Sequence, residues 1–322
     1  MSETSALRPT IENFAVPSQE LLDALAPAAG AVNLWLWDCE HDPEGIGVDD
    51  IDAFVLPYQG NVDPRECIPR VRNLSLLQTQ TTGYDGLLDL VDDGVAVATA
   101  AGVHAAATAE LAVGLALASL RGIDDAARNQ RDQTWIQHCY PGLADRRVLL
   151  VGVGQIGTEI LRRLEPFDVT VTQVGRTARQ GAHGRVHASS ELVDLAPHHD
   201  VVIVITPLTE GTRGLISRAV LAALPEGALV VNVARGPVVD TIALTHEVLS
   251  GRLRAALDVV DPEPLPAGHP LWDAPGVLIT PHQGGNSGAF QPRIVALLRR
   301  QLGLLNSGHK PENLVQEGGW LG

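Results

Sequence analysis

Lysine is almost missing: of the 23 basic side chains in this 322-residue chain only Lys310 is a lysine, the others being arginine. That excludes a P-loop lysine, a Schiff-base lysine and a Tyr-x-x-x-Lys pair, since Tyr58, Tyr84 and Tyr140 have no lysine four residues on. Nucleotide phosphates must then be met by arginine or by backbone amides. Positive charge is scarce as well, 38 acidic residues giving a formal net charge of −15 that repels a polyphosphate backbone. Nucleic acid is not an expected partner. Cysteine is limited to Cys39, Cys67 and Cys139, an odd number without C-x-x-C spacing. Neither a disulfide framework nor a structural zinc site is indicated, and a reducing, cytoplasmic compartment is expected. The opening Met-Ser-Glu-Thr-Ser lacks the basic and apolar regions of a secretory signal.

Long apolar runs are also lacking. The most membrane-like window, about 95–120, is built of Ala, Gly and Thr and carries His104 and Glu110, so a buried helix and no membrane partner are expected. There is no G-x-S-x-G elbow for a serine hydrolase. His183, His187, His198 and His199 beside Asp200 lack an H-E-x-x-H pattern and read as an exposed histidine-rich surface; no metal is expected.

What is present is ample core: 45% apolar residues over a length of about two domains. Short apolar runs at 11–17, 31–37, 52–56, 73–77 and 95–98 alternate with a helical segment opened by Ser18, predicting a small parallel sheet. A long helix of small residues follows through Arg121. From Arg147, six near-continuous apolar runs alternate with amphipathic segments and predict a parallel sheet covered on both faces. The window 176–199 reads as exposed turns around a short helix. Residues 292–305 read as a helix with Ile294, Leu297, Leu298, Gln301 and Leu302 on its faces.

Gly152-Val153-Gly154-Gln155-Ile156-Gly157 follows one predicted strand and opens a helix. In that context the first glycine permits the tight turn, the second lets a pyrophosphate approach, the third lets helix and strand close, and the helix N-terminus supplies amide donors. An NAD site places a carboxylate about 20 residues on. Here Arg176, Thr177 and Arg179 stand instead, a set suited to a 2′-phosphate, so NADP(H) is the expected cofactor with NAD possible.

Three later strand ends carry Arg235, Glu263 and His282. An arginine to fix a carboxylate and polarise a ketone, a histidine to deliver a proton, and a carboxylate to favour the charged imidazole are what hydride reduction of a 2-oxo acid requires. Substrate choice is expected to rest on Tyr58 and Gln59, with Trp35, Trp37 and Trp135 as further candidates.

The ordered segments VGVGQIG, ITPLTEGTRGLI, VNVARGPVVDTIAL, AALDVVDPEPLP and HPLWDAPGVLITPHQGG, with QTQTTGYDGL and TAAGVHAAATAELAVGLALASLRG earlier, resemble the D-isomer-specific 2-hydroxyacid dehydrogenase family over essentially the full length. The resemblance implies an α/β fold in which a Rossmann-type doubly wound parallel sheet, residues 100–286, is inserted into a smaller flavodoxin-like α/β substrate domain made of 1–99 and 287–322. It implies Arg235, Glu263 and His282 as the catalytic trio. Thr108, Thr206, Pro207, Val233, Ala234, Asp258 and Gly284 would line the cofactor, Asp258 near the nicotinamide carboxamide. Amides around Thr82 and Gly83 would receive the substrate carboxylate, and a homodimer would form through the 103–121 helix. Thr81-Thr82-Gly83 is bulkier than the family's pattern. No serine-responsive domain follows the last helix, so feedback control is not expected. Alternatives of the same fold are oxidation of another small oxyanion such as phosphite, and a dinucleotide-sensing corepressor.

Overall fold

The computed structural model describes residues 9–58 and 62–320, and the chain divides into two compact units, 1–104 with 288–322 and 105–287. The smaller unit starts with β1 (Asn13–Val16), α1 (Gln19–Leu25), β2 (Asn33–Leu36), β3 (Ala53–Val55), α2 (Pro64–Cys67), β4 (Leu76–Gln78) and β5 (Ala96–Ala98). Ser18 caps α1, its Oγ accepting from the Leu21 amide at 3.3 Å, which satisfies one of the donors a helix start leaves over.

The larger unit opens with α3 (Ala105–Leu120) and α4 (Ile123–Arg131) and continues with β6 (Arg147–Val151), α5 (Gln155–Leu164), β7 (Thr170–Gly175), β8 (Arg179–Gly181) and β9 (Gly184–Ala188). It is completed by α6 (Leu192–Leu195), β10 (Val201–Val204), α7 (Arg218–Ala223), β11 (Leu229–Asn232), α8 (Thr241–Leu249), β12 (Arg254–Leu257) and β13 (Val277–Ile279). The chain then returns to the smaller unit as α9 (Phe290–Asn306) and β14 (Leu314–Gln316).

The smaller sheet has the order β14-β5-β4-β3-β1-β2, parallel except for β14. Its two faces bury separate apolar clusters, and the face covered by α9 takes up Ile294, Leu297, Leu298, Gln301 and Leu302, the five residues its periodicity singles out. Gln301 is a polar member of that face because Nε2 donates to Gln78 Oε1 at 2.8 Å and to the Glu312 carbonyl at 3.0 Å.

The larger sheet runs β13-β12-β11-β10-β6-β7-β9-β8, parallel up to β9, with β8 antiparallel at the edge. Clusters on both faces, and strands such as β10 buried at every residue, account for apolar runs that do not alternate. Strand order reverses between β6 and β10, the switch point where open α/β sheets hold ligands beyond their carboxyl ends. Two expectations are corrected. The 176–199 window contains the β8–β9 hairpin as well as a short helix, and β14 extends a sheet expected to be purely parallel. Among the described residues no single helix is long and apolar enough to cross a membrane; α3 and α4 pass that test only as a pair bent by 67°.

Candidate active site

The three fingerprint glycines separate by what surrounds them. Gly152 adopts φ +122°, and a Cβ there would lie 2.6 Å from the Ile205 carbonyl oxygen, so the turn abuts the end of β10. A Cβ on Gly157 would fall 2.1 Å from the Gly152 carbonyl oxygen, which fixes how closely α5 packs on the turn. At Gly154 a Cβ would meet nothing within 4 Å, and the backbone is ordinary extended chain at φ −79°. No neighbouring atom requires a glycine there, and it sits at the N-cap of α5 without a capping side chain. An incoming phosphate group has room at the amides of Gln155 and Ile156.

At the end of β7 the side chains of Arg176, Thr177 and Arg179 are exposed. Arg179, the first residue of β8, folds back so that Nη1 donates to the Thr177 carbonyl at 3.2 Å and would lie 3.0 Å from a Cβ on Gly175. The same virtual atom would be 3.2 Å from Val153, which puts the guanidinium beside the dinucleotide turn. Among the described residues neither Arg176 nor Arg179 joins a carboxylate in an ion pair. After β10, Thr206 keeps a buried hydroxyl without a hydrogen-bond partner in the protein, and Pro207 is exposed.

The strand ends of β11, β12 and β13 build the reactive group. Beyond β11, buried Asn232 holds the loop by accepting from the Ala234 amide at 3.1 Å and donating to the Arg235 carbonyl at 3.1 Å. Val233 and Ala234 are buried, and half-buried Arg235 donates from Nη1 to the Ala234 carbonyl at 2.8 Å. Gly236 then passes so close to the next loop that a Cβ would sit 1.9 Å from the Val260 carbonyl oxygen. That contact draws the Arg235 and Glu263 loops together.

Asp258, 3% exposed at the end of β12, organises the third loop. Its Oδ1 accepts from the Thr280 hydroxyl at 2.6 Å and the Gln283 amide at 2.9 Å, and its Oδ2 from the Gly284 amide at 2.9 Å. Its carbonyl accepts from the His282 amide at 2.8 Å, holding His282 at φ +46°, a conformation few non-glycine residues adopt. A Cβ on Gly284 would be 3.0 Å from Asp258 Oδ2 and 3.3 Å from Thr108 Cγ2, so Thr108, Asp258 and Gly284 meet at one point. Asp258 therefore positions the histidine loop, a task the sequence does not reveal.

His282 Nδ1 hydrogen-bonds Glu263 Oε1, leaving Nε2 for a substrate. That bond raises the imidazole pKa above its ordinary value; burial and the Arg235 charge oppose it, and the charges of Glu263 and Asp258 add to it. For Glu263, burial pushes upward, but the bond to His282 and the nearby positive charges outweigh it and the carboxyl ends lower than usual. Both shifts favour the ionised Glu263 and the protonated His282, the form able to donate a proton.

In the smaller unit, Tyr58 follows β3 and stacks on Phe290 and His104 at centroid distances of 4.3 and 5.3 Å, while His104 Nε2 meets the Gln80 carbonyl at 2.7 Å. His104 and Phe290 carry no sequence pattern that marks them. Thr82 and Gly83 follow β4, with the Gly83 carbonyl accepting from the Thr81 hydroxyl at 2.6 Å. Gln59 lies outside the described residues. One expectation fails here: Trp37 is a core residue, 2% exposed and packed edge-on against Phe54. On the larger unit Trp135 is 92% exposed. Nor are the histidines all on the surface: His199 is buried between Thr172 and the Leu195 carbonyl, and His187 is half-buried against Glu191.

Residues 113–284 match the family model of the NAD-binding domain of D-isomer specific 2-hydroxyacid dehydrogenases. The chain belongs to this family. It is 35% identical over 248 residues, 74% of this chain and 76% of the relative, to the glyoxylate reductase/hydroxypyruvate reductase of Mus musculus. Its fold is similar to the D-isomer specific 2-hydroxyacid dehydrogenase of Xanthobacter autotrophicus Py2 solved with NADPH and MES, at TM-score 0.80 and 27% identity, covering 95% and 98% of the two chains. It is also similar to the NADPH-dependent glyoxylate/hydroxypyruvate reductase of Sinorhizobium meliloti solved with NADP and malonate, at TM-score 0.78 and 26% identity over 96% and 98%. As a 2-hydroxyacid dehydrogenase the chain is a nicotinamide-dependent oxidoreductase, and its larger unit carries the Rossmann-type fold.

Proposed function

We propose that this dehydrogenase uses NADPH to reduce a small 2-oxo acid of the glyoxylate or hydroxypyruvate type to the D-2-hydroxy acid, with Arg235, Glu263 and His282 as its catalytic residues. The observation that carries the reading is the Glu263-bound His282, held by Asp258 on the same sheet edge as Arg235. Arg235 would grip the substrate carboxylate and draw electron density from the adjacent carbonyl, and the amides of Thr82 and Gly83 are the further proposed carboxylate receivers. When bound, the reduced nicotinamide supplies the hydride. His282 Nε2 donates the proton to the developing alkoxide, and Glu263 favours the protonated imidazole and balances its charge before the transfer. Gly152, Gly154, Gln155, Ile156 and Gly157 would hold the pyrophosphate, Arg176, Thr177 and Arg179 a 2′-phosphate, and Thr108, Thr206, Pro207, Val233, Ala234, Asp258 and Gly284 the rest of the dinucleotide. Tyr58, stacked on Phe290, is the proposed wall toward the substrate side chain.

Supporting NADPH are the exposed Arg176 and Arg179 after β7, Arg179 lying beside the turn, and the NADPH and NADP bound by the two similar structures. Supporting a homodimer through α3 are the small residues left on its outer side, Ala107, Gly114 and Ala118, since Ala105, Ala109, Ala112 and Ala116 are buried within the protomer. The three free cysteines fit a reducing, cytoplasmic setting. The test is a panel of 2-oxo acids assayed with NADPH and NADH. The reading predicts turnover of short-chain 2-oxo acids with kcat/KM at least roughly tenfold higher for NADPH; failure of every 2-oxo acid, or a preference for NADH, would refute the corresponding half.

A further inference from the structure

We propose that a cavity of the smaller unit receives the side chain of the 2-oxo acid, and that its acidic rim selects a side chain ending in a cation, a guanidinium or an ammonium group. The inference rests on the reduction proposed above and names a substrate class that glyoxylate, which has no side chain, does not represent. The cavity has a volume of about 500 Å³ and lies at the carboxyl ends of parallel strands. Ser18 follows β1, Asp38 and Glu40 follow β2, Tyr58 follows β3 and Gln80 follows β4, and all five line it. Strand order in the smaller sheet reverses between β1 and β3, the place at which open α/β sheets take ligands. Thr82 and Gly83, the proposed receivers of the substrate carboxylate, come directly after Gln80 and Thr81 in the same connection. A 2-oxo acid anchored there can extend its side chain into the cavity.

The walls and the polar groups of this cavity ask for different ends of one molecule. Leu21, Val62, Tyr58 and Phe290 form an apolar and aromatic surface, which suits the methylene stem of a long side chain, and aromatic rings also attract cations. The polar side is rich in acceptors. Gln80 is 4% exposed; its Nε2 donates to the Leu56 carbonyl at 3.0 Å, and among the described residues nothing donates to its Oε1. Asp38 and Glu40 are exposed at the rim. Asp38 Oδ1 accepts from the Glu40 and His41 amides at 2.9 Å each and Oδ2 bonds His41 Nδ1 at 2.8 Å, bonds that hold the Asp38 carboxyl down at about 2.

Among the described residues no arginine, lysine or histidine lines the cavity, and no cation pairs with the Glu40 carboxylate. Two bases belong to the same loops and are engaged elsewhere. Arg70 gives Nη1 to the Cys39 and Glu40 carbonyls at 2.9 and 3.2 Å and pairs through Nη2 with Asp42, while His41, its side chain 80% exposed, sits on Asp38. A second carboxylate on the substrate would therefore meet two like charges, and a cation two opposite ones. A guanidinium carries only N–H donors, which matches both carboxylates and the open Gln80 oxygen. Sequence reading misses the site because Asp38 and Glu40 look like a solvated acidic loop until the fold sets them around one cavity with Tyr58 and Phe290.

The test compares 5-guanidino-2-oxopentanoate with 5-ureido-2-oxopentanoate, the same shape without the charge, and with the anionic 2-oxoglutarate. Each is followed by NADPH oxidation and by calorimetric titration of the intact protein in the presence of NADP+, with glyoxylate assayed alongside. The guanidino compound should exceed the ureido compound roughly tenfold or more in kcat/KM and in affinity, and 2-oxoglutarate should be the poorest of the three. Glu40→Gln combined with Asp38→Asn should bring the guanidino-to-ureido ratio close to one while circular dichroism is unchanged, and Glu40→Arg should lower the ratio as well. Equal turnover and binding of the guanidino and ureido compounds would overturn the proposal, as would a guanidino preference that survives both variants. A wild type that fails to reduce glyoxylate or any other 2-oxo acid would refute the underlying reduction instead, and the calorimetric comparison would still decide what the cavity selects.

Discussion

His282 is a side chain whose neighbours decide its charge. The bond from Glu263 raises its pKa above the ordinary 6.5, so the protonated form persists to higher pH. Reduction consumes that form. The rate kcat for reduction should therefore fall as pH rises through the raised pKa, and Glu263→Gln should move this falling limb to lower pH; a limb that stays in place would show that Glu263 does not tune the histidine. Asp258 makes a separate prediction. Asp258→Ala leaves the Thr280 hydroxyl and the Gln283 and Gly284 amides without their acceptor, which should cost about 3 kcal/mol in denaturant unfolding and lower kcat together. Unchanged stability would contradict the positioning role. Arg235, Glu263 and His282 were legible because charged residues at consecutive strand ends have few reasons to be there. Asp258 as a loop organiser was not, since its partners are mainly backbone amides and every sequence supplies those. His199 misled for the opposite reason: its ring is satisfied by Thr172, 27 positions away, a contact no local pattern announces.

At the level of elements, the dinucleotide turn divides into a part the protein needs and a part only a ligand explains. Gly157→Ala drives a methyl into the Gly152 carbonyl and should destabilise the fold by about 1–3 kcal/mol. Gly154→Ala meets open space and should leave the melting temperature nearly unchanged while raising the KM for NADPH. Equal effects of the two substitutions on stability would remove the assignment of Gly154 to phosphate. The strand-turn-helix context of this motif was plain from the apolar run before it and the amphipathic segment after it. The β8–β9 hairpin was not, because its residues alternate Arg, Gln, Gly and His at an exposed edge and lack the apolar rhythm by which strands are found. The antiparallel β14 escaped for a similar reason: three residues, none fully buried, joined to β5 through an irregular register.

For the whole molecule, the sequence disclosed two alternating strand-helix series and a terminal helix that returns to the first of them, because burial on both faces of a parallel sheet demands long apolar runs and α9 needs one apolar face. Arg176 and Arg179 are exposed just past β7 in a chain of net charge −15. Replacing both with alanine should raise the KM for NADPH by roughly tenfold or more and leave that for NADH nearly unchanged; a parallel loss with both cofactors would contradict 2′-phosphate recognition. The claim on which the function rests is proton delivery by His282, and its most direct measurement compares NADPH oxidation by the wild type and His282→Gln with glyoxylate. The account predicts that kcat falls by roughly a thousandfold while NADPH binding, followed by nicotinamide fluorescence, stays within a few-fold of wild type. A variant that reduces glyoxylate at the wild-type rate would contradict it.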